Sequence, residues 1–184
     1  DNVVVIPNAF NDGIFNVDRV LAPRTNVVIW RGSDTYVYDM ILYSAPMDKC
    51  VAEHKDYDFA FMGFNPWFMA TATNLKFMRT IDIIDYYEMG LTKCPSVVQV
   101  PLQDSLFNRC KSNIAYIESA YWGATCIVPH WWGHLPGTLS YKDADSYYEA
   151  LTLAITNNPN QINKAWDYVK NNLLSSKVNN LRVS

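Results

Sequence analysis

Five runs of this chain are apolar at almost every position, instead of alternating between apolar and polar residues. Strands have this pattern when helices cover both faces of the parallel sheet to which they belong. Helical patterns separate the runs, and this order is typical of an α/β domain. We therefore predict a three-layer domain with a parallel sheet, whose strands include VVVIP, NVVIW, FAFM, SVVQVPL and ATCIVP.

Apolar residues three and four positions apart mark the helices. Val37, Met40, Ile41 and Ser44 share one side of the first predicted helix. Pro46 should end this helix, because proline is not tolerated in a helix interior. The segment TIDIID lacks such spacing and is rich in isoleucine, which indicates a short strand.

Three later helices follow the same spacing, and Gly123 is placed to cap the first of them. The residues after the last helix, VNNLRVS, are interpreted as a tail. The apolar faces of the three helices are Ile114, Ile117 and Tyr121; Tyr147, Leu151 and Ile155; and Ile162, Trp166, Val169 and Leu173.

Length and composition fit one globular domain over residues 1–184, with 49% apolar and 18% charged residues. The formal net charge is −3 and no basic run occurs, so we expect no nucleic-acid partner. No apolar stretch approaches the roughly 18 residues that a membrane-spanning helix needs. The four cysteines lack CxxC spacing, and we expect free thiols in a cytoplasmic setting, with a disulfide as the alternative.

Ligands of parallel sheets bind beyond the carboxyl ends of the strands, where loops meet helix N-termini. This rule selects four loops of the chain as the candidate site. Their sequences are RGSDT, GFNPWF, PLQDSLFNRCKSN and PHWWGHLPG.

Lys111 and Ser112 precede the predicted helix that contains Glu118. The first N–H groups of a helix have no partner within the helix, and together with a nearby cation they bind phosphate. The alternative is an ordinary serine cap beside a solvated lysine. GxxxxGK[ST] is absent, so the segment is not a P-loop.

Glu118 lies inside the same helix, about 100° around the axis from Ile117. Its carboxylate can therefore flank the buried stripe and face the cleft above the sheet. An acidic residue in such a place can accept hydrogen bonds from the paired hydroxyls of a ribose. The alternative is a partly exposed glutamate that pairs with a lysine or an arginine.

Arg31 and Gly32 end the second predicted strand, in WRGSDT. Glycine allows a ligand to approach the backbone closely, and arginine is suited to the oxygens of a diphosphate. The alternative is a structural turn in which Arg31 pairs with Asp34 or Asp39.

His130 and His134 are four apart in PHWWGH, but the neighbouring prolines and Gly133 disfavour a helix, so we expect no metal site. The tryptophans there can stack on a sugar or a base, or simply pack a surface loop. GxGxxG and the known nucleophile motifs are absent, so a nicotinamide cofactor is not expected.

Four segments resemble the C-terminal, donor-binding domain of GT-B glycosyltransferases of the group 1, family 4-like type. VVVIPNAFND is similar to the segment that leads into that domain. VVIWRGSDTYVYDMILYSA and DFAFMGFNP are similar to its first two strands with their glycine turns. The most specific segment, VPLQDSLFNRCKSNIAYIESAYWGATCIVP, resembles the donor-binding pattern PL-x-D-x-x-FN-x-x-KS-x-I-x-x-x-E.

This resemblance implies a Rossmann-like half of a GT-B architecture, which binds a nucleotide-sugar without a metal or another cofactor. It implies that Glu118 holds the ribose, that residues 111–114 cradle the diphosphate and that residues 97–101 end beside the base. Arg31 and Lys111 are then the expected catalytic residues. The expected substrate-binding residues are Gly32, Ser33, Gly63, Val100, Pro101, Asp104, Asn108, Ser112, Asn113, Ile114 and Glu118.

Many relatives carry an earlier glutamate that touches the transferred sugar. The matching position here is Cys110, with seven residues between it and Glu118. The resemblance therefore leaves Asp104 or Asn108 as the residue expected to contact the sugar.

The resemblance also implies a second, N-terminal domain that holds a glycan or another acceptor. Residues 1–12 are then the strand and turn that arrive from that domain, and residues 159–184 are the C-terminal helix and tail. We expect this chain to be inactive in glycosyl transfer without that domain. The alternative is a non-catalytic nucleotide-binding or protein-interaction module; a flavodoxin-like signalling domain would need an acidic cluster that the sequence lacks.

Overall fold

The protein is represented by a computed structural model that describes residues 6–156 and 162–183, with the backbone alone at 162 and 181–183. Within these residues, six strands form one parallel sheet. The strands are β1 (Thr25–Arg31), β2 (Asp58–Met62), β3 (Leu75–Met78), β4 (Pro95–Gln99), β5 (Thr125–Pro129) and β6 (Thr138–Tyr141). Their spatial order is β3-β2-β1-β4-β5-β6.

Helices connect the strands and cover both faces of the sheet. They are α1 (Val37–Leu42), α2 (Ser44–Glu53), α3 (Ile83–Lys93), α4 (Leu106–Arg109), α5 (Ile114–Trp122), α6 (Ala144–Thr156), α7 (Ile162–Asn172) and α8 (Ser175–Val183). Short 3-10 helices occur at Asp34–Tyr36 and His130–Trp132. The three layers are α3, α5 and α7 on one face, the sheet, and α2 and α6 on the other. This Rossmann-like α/β fold confirms the predicted fold class.

Apolar strands supply both cores of the protein. Every residue of β4 and β5 is buried, as predicted for strands covered on two faces. Since side chains alternate along a strand, Ile29 and Ala60 join the core under α3 and α5. Their neighbours Val28, Phe59 and Phe61 join the core under α2 and α6.

The strands predicted at NVVIW, FAFM, SVVQVPL and ATCIVP are confirmed as β1, β2, β4 and β5. The three later helices are confirmed as α5, α6 and α7. Gly123 ends α5 in the left-handed conformation with φ of 70°, as its C-terminal position predicts.

Two predicted boundaries are wrong. Pro46 does not end a helix but lies in the first turn of α2, where its missing N–H group costs no helical hydrogen bond. The segment TIDIID is not a strand, because Asp82 starts α3 within it. The Asp82 carboxylate accepts a hydrogen bond of 2.8 Å from the N–H group of Ile84, which caps the helix.

The edges of the sheet and the C-terminus also differ from the sequence predictions. The unpredicted strands β3 and β6 lie at the two edges, where Lys76 and Ser140 interrupt the apolar pattern. The segment VNNLRVS was predicted to be a tail, but it is helical as far as residue 183, because α8 extends over it. Most of the predicted strand VVVIP lies outside the described residues, and the proposed domain boundaries at 1–12 and 159–184 stay predictions.

The N-terminal segment pairs with the C-terminal one. Phe10 donates its N–H group to the carbonyl of Leu173 over 2.7 Å, and Ser175 donates to the carbonyl of Phe10 over 2.8 Å. Asp12 accepts hydrogen bonds from Ser175 Oγ at 2.5 Å and from the N–H group of Ser176 at 3.0 Å. Burial raises the pKa of Asp12, but these hydrogen bonds outweigh burial and lower the pKa to about 2.

We expect Asp12→Asn to lower the free energy of unfolding by about 1 kcal/mol at pH 7, after allowance for solvent screening. A depressed pKa stabilises the fold above the pKa of the unfolded chain, about 3.9, and this contribution is lost as the pH falls toward 2. Urea unfolding between pH 7 and 3 measures the difference. Asp18→Asn, at an exposed acid nearby, is the control. A difference that stays constant with pH would contradict the assignment.

Candidate functional site

The strand order reverses between β1 and β4, since β2 and β3 lie to one side and β5 and β6 to the other. Loops that follow such a pair diverge and leave a crevice at the carboxyl ends of the strands. A cavity of about 120 Å³ lies there, and we call it the switch-point cavity. It brings together six residues expected from the sequence, namely Arg31, Val100, Pro101, Lys111, Ser112 and Ile114.

The start of α5 borders this cavity through Ile114 and Ala115. Asn113 is the N-cap residue, but neither its side chain nor that of Ser112 caps the helix. The first N–H groups of the helix therefore have no side-chain acceptor among the described residues, and they stand beside Lys111. This is the arrangement in which a helix N-terminus attracts an anion.

Lys111 is held by an acid and an aromatic ring. Its Nζ lies 3.4 Å from Asp39 Oδ2 and 3.9 Å from the centre of the Tyr36 ring. Asp39 Oδ1 also accepts hydrogen bonds from the N–H group of Gln103 at 2.9 Å and from Asn108 Nδ2 at 2.7 Å. The buried carboxylate of Asp39 thus fixes the loop that carries Lys111. From the sequence, Asp39 was named only as a possible partner of Arg31. The structure shows no hydrogen bond or ion pair between these two residues.

Arg31 pairs with Glu118 instead. Arg31 Nε donates a hydrogen bond of 2.7 Å to Glu118 Oε2. Arg31 Nη2 lies 2.7 Å from the same oxygen, at an angle that makes the contact ionic rather than a hydrogen bond. Tyr86 donates a third contact to Oε2, over 2.9 Å. The pairing of Glu118 with an arginine is therefore observed, but the glutamate is buried and not partly exposed as that alternative expected.

Burial governs the protonation of this cluster. It raises the pKa of Glu118, whereas the charge of Arg31 and the hydroxyl of Tyr86 act in the opposite direction. The pKa of Tyr86 is also raised, by burial and then by the nearby carboxylate, so its hydroxyl stays a hydrogen-bond donor. Burial lowers the pKa of Arg31, but Glu118 more than compensates, and the guanidinium stays charged.

A second cavity, of about 270 Å³, lies on the other side of Arg31, and we call it the Glu118 cavity. Gly32 and Gly63 form part of its wall, with Thr80 and Ile81 from the loop before α3. Gly63 has φ of 87°, and a Cβ atom there would lie 2.3 Å from the carbonyl oxygen of Gly32. A side chain at Gly63 is therefore excluded on steric grounds, and the backbone itself forms the wall.

Four expected site residues line neither cavity: Ser33, Asp104, Asn108 and Asn113, of which Asn113 is the N-cap residue of α5. Ser33 is exposed and shares a hydrogen bond of 2.7 Å with Thr35. Asp104 is exposed and binds Arg109 through two hydrogen bonds of 2.6 and 2.8 Å. Asn108 is buried between Asp39 and the carbonyl of Gln103. Contact of Asp104 or Asn108 with a sugar stays a prediction, and it requires each side chain to leave these partners.

Residues 6–156 and 162–183 contain neither a metal-binding cluster nor a membrane-spanning helix. No group of three His, Cys, Asp or Glu side chains there could hold a metal ion. No helix in the same ranges is long and apolar enough to cross a bilayer. The cysteines at positions 50, 94, 110 and 126 are free thiols, and Cys126 is buried as its strand pattern predicts.

No family model matches the sequence, and no curated protein matches it. Solved structures share its fold. A UDP-forming α,α-trehalose-phosphate synthase from Burkholderia xenovorans has a TM-score of 0.62 at 12% identity, over 87% of this chain and 44% of its own. The apo form of OtsA has a TM-score of 0.59 at 12% identity, over 88% and 43%. The GtfA/B complex has a TM-score of 0.54 at 9% identity, over 89% and 36%.

These neighbours are GT-B glycosyltransferases, and at such identities the likeness concerns the fold alone. The chain spans less than half of the length of each neighbour. The protein therefore shares a Rossmann-like fold with one part of each of these glycosyltransferases.

The ion pair at the site predicts a pH-dependent variant. Arg31→Met removes the charge that lowers the pKa of Glu118 and leaves burial unopposed. When folding raises the pKa of a carboxyl group, the free energy of unfolding falls as the pH rises above the ordinary pKa of that group, 4.5. We expect the variant to be about 3 kcal/mol less stable than the wild type at pH 7, and the gap to narrow toward pH 4.5. Urea unfolding at several pH values measures this gap.

Arg31→Met combined with Glu118→Gln is the control for this prediction. Compared with Glu118→Gln alone, it measures the loss of Arg31 without the titrating carboxylate, so the gap between these two variants should not depend on pH. Persistence of that dependence in the double variant would assign it to another group.

Proposed function

We propose that this chain is the nucleotide-sugar donor-binding domain of a GT-B glycosyltransferase of the group 1, family 4-like type. The observation that carries the proposal is the position of Arg31 between two cavities at the switch point of the sheet. The switch-point cavity has the groups that bind an anion, and the Glu118 cavity presents a carboxylate and exposed backbone. A nucleoside diphosphate requires the first for its diphosphate and the second for its nucleoside.

The diphosphate belongs in the switch-point cavity. The free N–H groups at the start of α5 supply the positive end of a helix dipole, and Lys111 and Arg31 supply full charges. Ser112 offers a hydroxyl at the same wall. These groups neutralise the charge that develops on a leaving nucleoside diphosphate when the glycosyl bond breaks. We expect this stabilisation to be sufficient without a metal ion.

The ribose belongs at Glu118, one turn into α5. All three contacts of its carboxylate fall on Oε2, and no described residue is hydrogen-bonded to Oε1. A ribose hydroxyl can therefore donate to Oε1 without breaking the ion pair with Arg31. The same guanidinium then borders the ribose on one side and the diphosphate on the other.

For the base, we propose the Glu118 cavity in place of the position beside the end of residues 97–101 that the resemblance implies, which stays untested. Glu118 lines that cavity, whereas Val100 and Pro101 line the smaller switch-point cavity beside Lys111. Gly32 and Gly63 let a planar ring approach the backbone, and Thr80 and Ile81 offer a polar and an apolar contact.

A second domain is needed for transfer. The structural neighbours are more than twice as long as the matched region, and an N-terminal domain would hold the glycan or other acceptor facing the carboxyl edge of the sheet. The chain by itself then binds the donor and does not turn it over.

The second candidate function is a non-catalytic nucleotide-binding or interaction module. One observation favours it: Cys110 is exposed at the position where the sugar-contacting glutamate is expected.

Calorimetric titration tests donor binding. We expect one of UDP, GDP or ADP to bind saturably at one site, since the two cavities adjoin at Arg31. Glu118→Gln should weaken that nucleotide at least tenfold, or about 1.4 kcal/mol, because the charged acceptor of the ribose is lost. Lys111→Met should weaken the nucleoside diphosphate but leave the nucleoside unchanged.

Glu149→Gln is the matched control, since Glu149 is exposed on α6 away from both cavities. It should bind like the wild type. Unchanged affinity in Glu118→Gln would remove the ribose role, and the absence of binding for all three nucleotides would favour the interaction module. If a nucleotide binds, hydrolysis or transfer from its sugar conjugate, with and without a fused N-terminal domain, separates the enzyme from the non-catalytic module.

A further inference from the structure

A third cavity lies at the amino ends of β1, β2 and β3, opposite the proposed donor site. We call it the Ala60 cavity, and its volume is about 310 Å³. Lys76, Lys93 and Asp58 stand at its rim. The apolar lining consists of Val27, Ile29, Ala60, Met78, Met89 and Pro95.

The small side chain of Ala60 creates the floor of this cavity. Ala60 is paired across the sheet with Ile29 on one side and Lys76 on the other. The bulky neighbours of Ala60 on β2, Phe59 and Phe61, point to the opposite core. The sheet therefore has a depression under α3, where a larger residue would have filled the space.

The position of α3 keeps the depression open. Gly90 of α3 packs so closely on α5 that a Cβ atom would lie 1.9 Å from Trp122 Nε1. The Tyr86 ring lies 4.8 Å from the Trp122 ring and reinforces this contact. Because α3 packs against α5, β2 and β3 stay partly uncovered on this face.

The rim of the cavity is positively charged. Lys76 lies 3.7 Å from Asp58, which balances one of the two lysines. Lys93 is exposed and forms no ion pair with any residue in the described part of the chain. A ligand that complements this site has an apolar body for the floor and one negative charge for Lys93.

We propose that the Ala60 cavity binds a small amphipathic monoanion, a carboxylate with an apolar body. The volume of the cavity is at the lower end of the range for small-molecule sites, which suits about eight carbon atoms. Met78 and Met89 have flexible side chains that adapt to an apolar ligand of variable shape. The site shares no lining residue with the two cavities of the proposed donor site, so either proposal can fail alone.

Octanoate is the probe, and methyl-labelled methionine provides a local signal by NMR. The chain has six methionines. Titration should shift the methyl resonances of Met78 and Met89, whereas Met40 and Met47, in the opposite core, should not move. Hexanoate, shorter by two methylene groups, should bind about fifteenfold more weakly. Octanol, which lacks the charge, should bind at least fivefold more weakly than octanoate.

Two variants separate the charge from the cavity. Lys93→Met should weaken octanoate at least fivefold and leave octanol unchanged, and Lys142→Met, at an exposed lysine elsewhere, should change neither. Ala60→Leu should abolish binding by filling the floor, with its melting temperature as the check on folding. Equal binding of octanoate and octanol, equal shifts at all methionines, or full affinity in Lys93→Met would each overturn the proposal.

Discussion

The buried ion pair between Arg31 and Glu118 joins parts of the chain that are far apart in sequence. Arg31 ends β1, Glu118 lies in α5, and Tyr86 adds α3 to the same carboxylate oxygen. Buried charges are costly unless they are paired and hydrogen-bonded, so each member depends on the other two. The cluster thereby sets the spacing between a strand end and two helices, and the two cavities at the carboxyl edge owe their common wall to it.

A second carboxylate organises the opposite wall of the site. Asp39 holds the loop before α5 through Gln103 and Asn108, and the same group holds Lys111. Contacts within the protein therefore hold the cation and the helix N-terminus in position. Such preorganisation reduces the entropy that ligand binding must overcome. The buried carboxylates of Glu118 and Asp39 thus position the positively charged groups of an anion site.

The fold was largely predictable, because buried strands and amphipathic helices leave patterns in sequence. β1, β2, β4 and β5 have apolar central residues without alternation, and α5 ends at a glycine. The edge strands β3 and β6 have weaker patterns because each pairs on one side only. α3 was missed because isoleucines at its start obscured the capping role of Asp82.

At the site, Arg31, Lys111 and the start of α5 were found from local pattern, since strand ends and helix starts are visible in sequence. The choice among partners for Arg31 and the role of Asp39 depend on contacts over long sequence separations, which no local pattern contains. The pairing of Phe10 with Leu174 is a contact of the same kind, and it makes the first and last described segments one cooperative unit. Removal of the segment around Phe10 would therefore expose apolar surface of the segment around Leu173, and removal of the latter would expose Phe10.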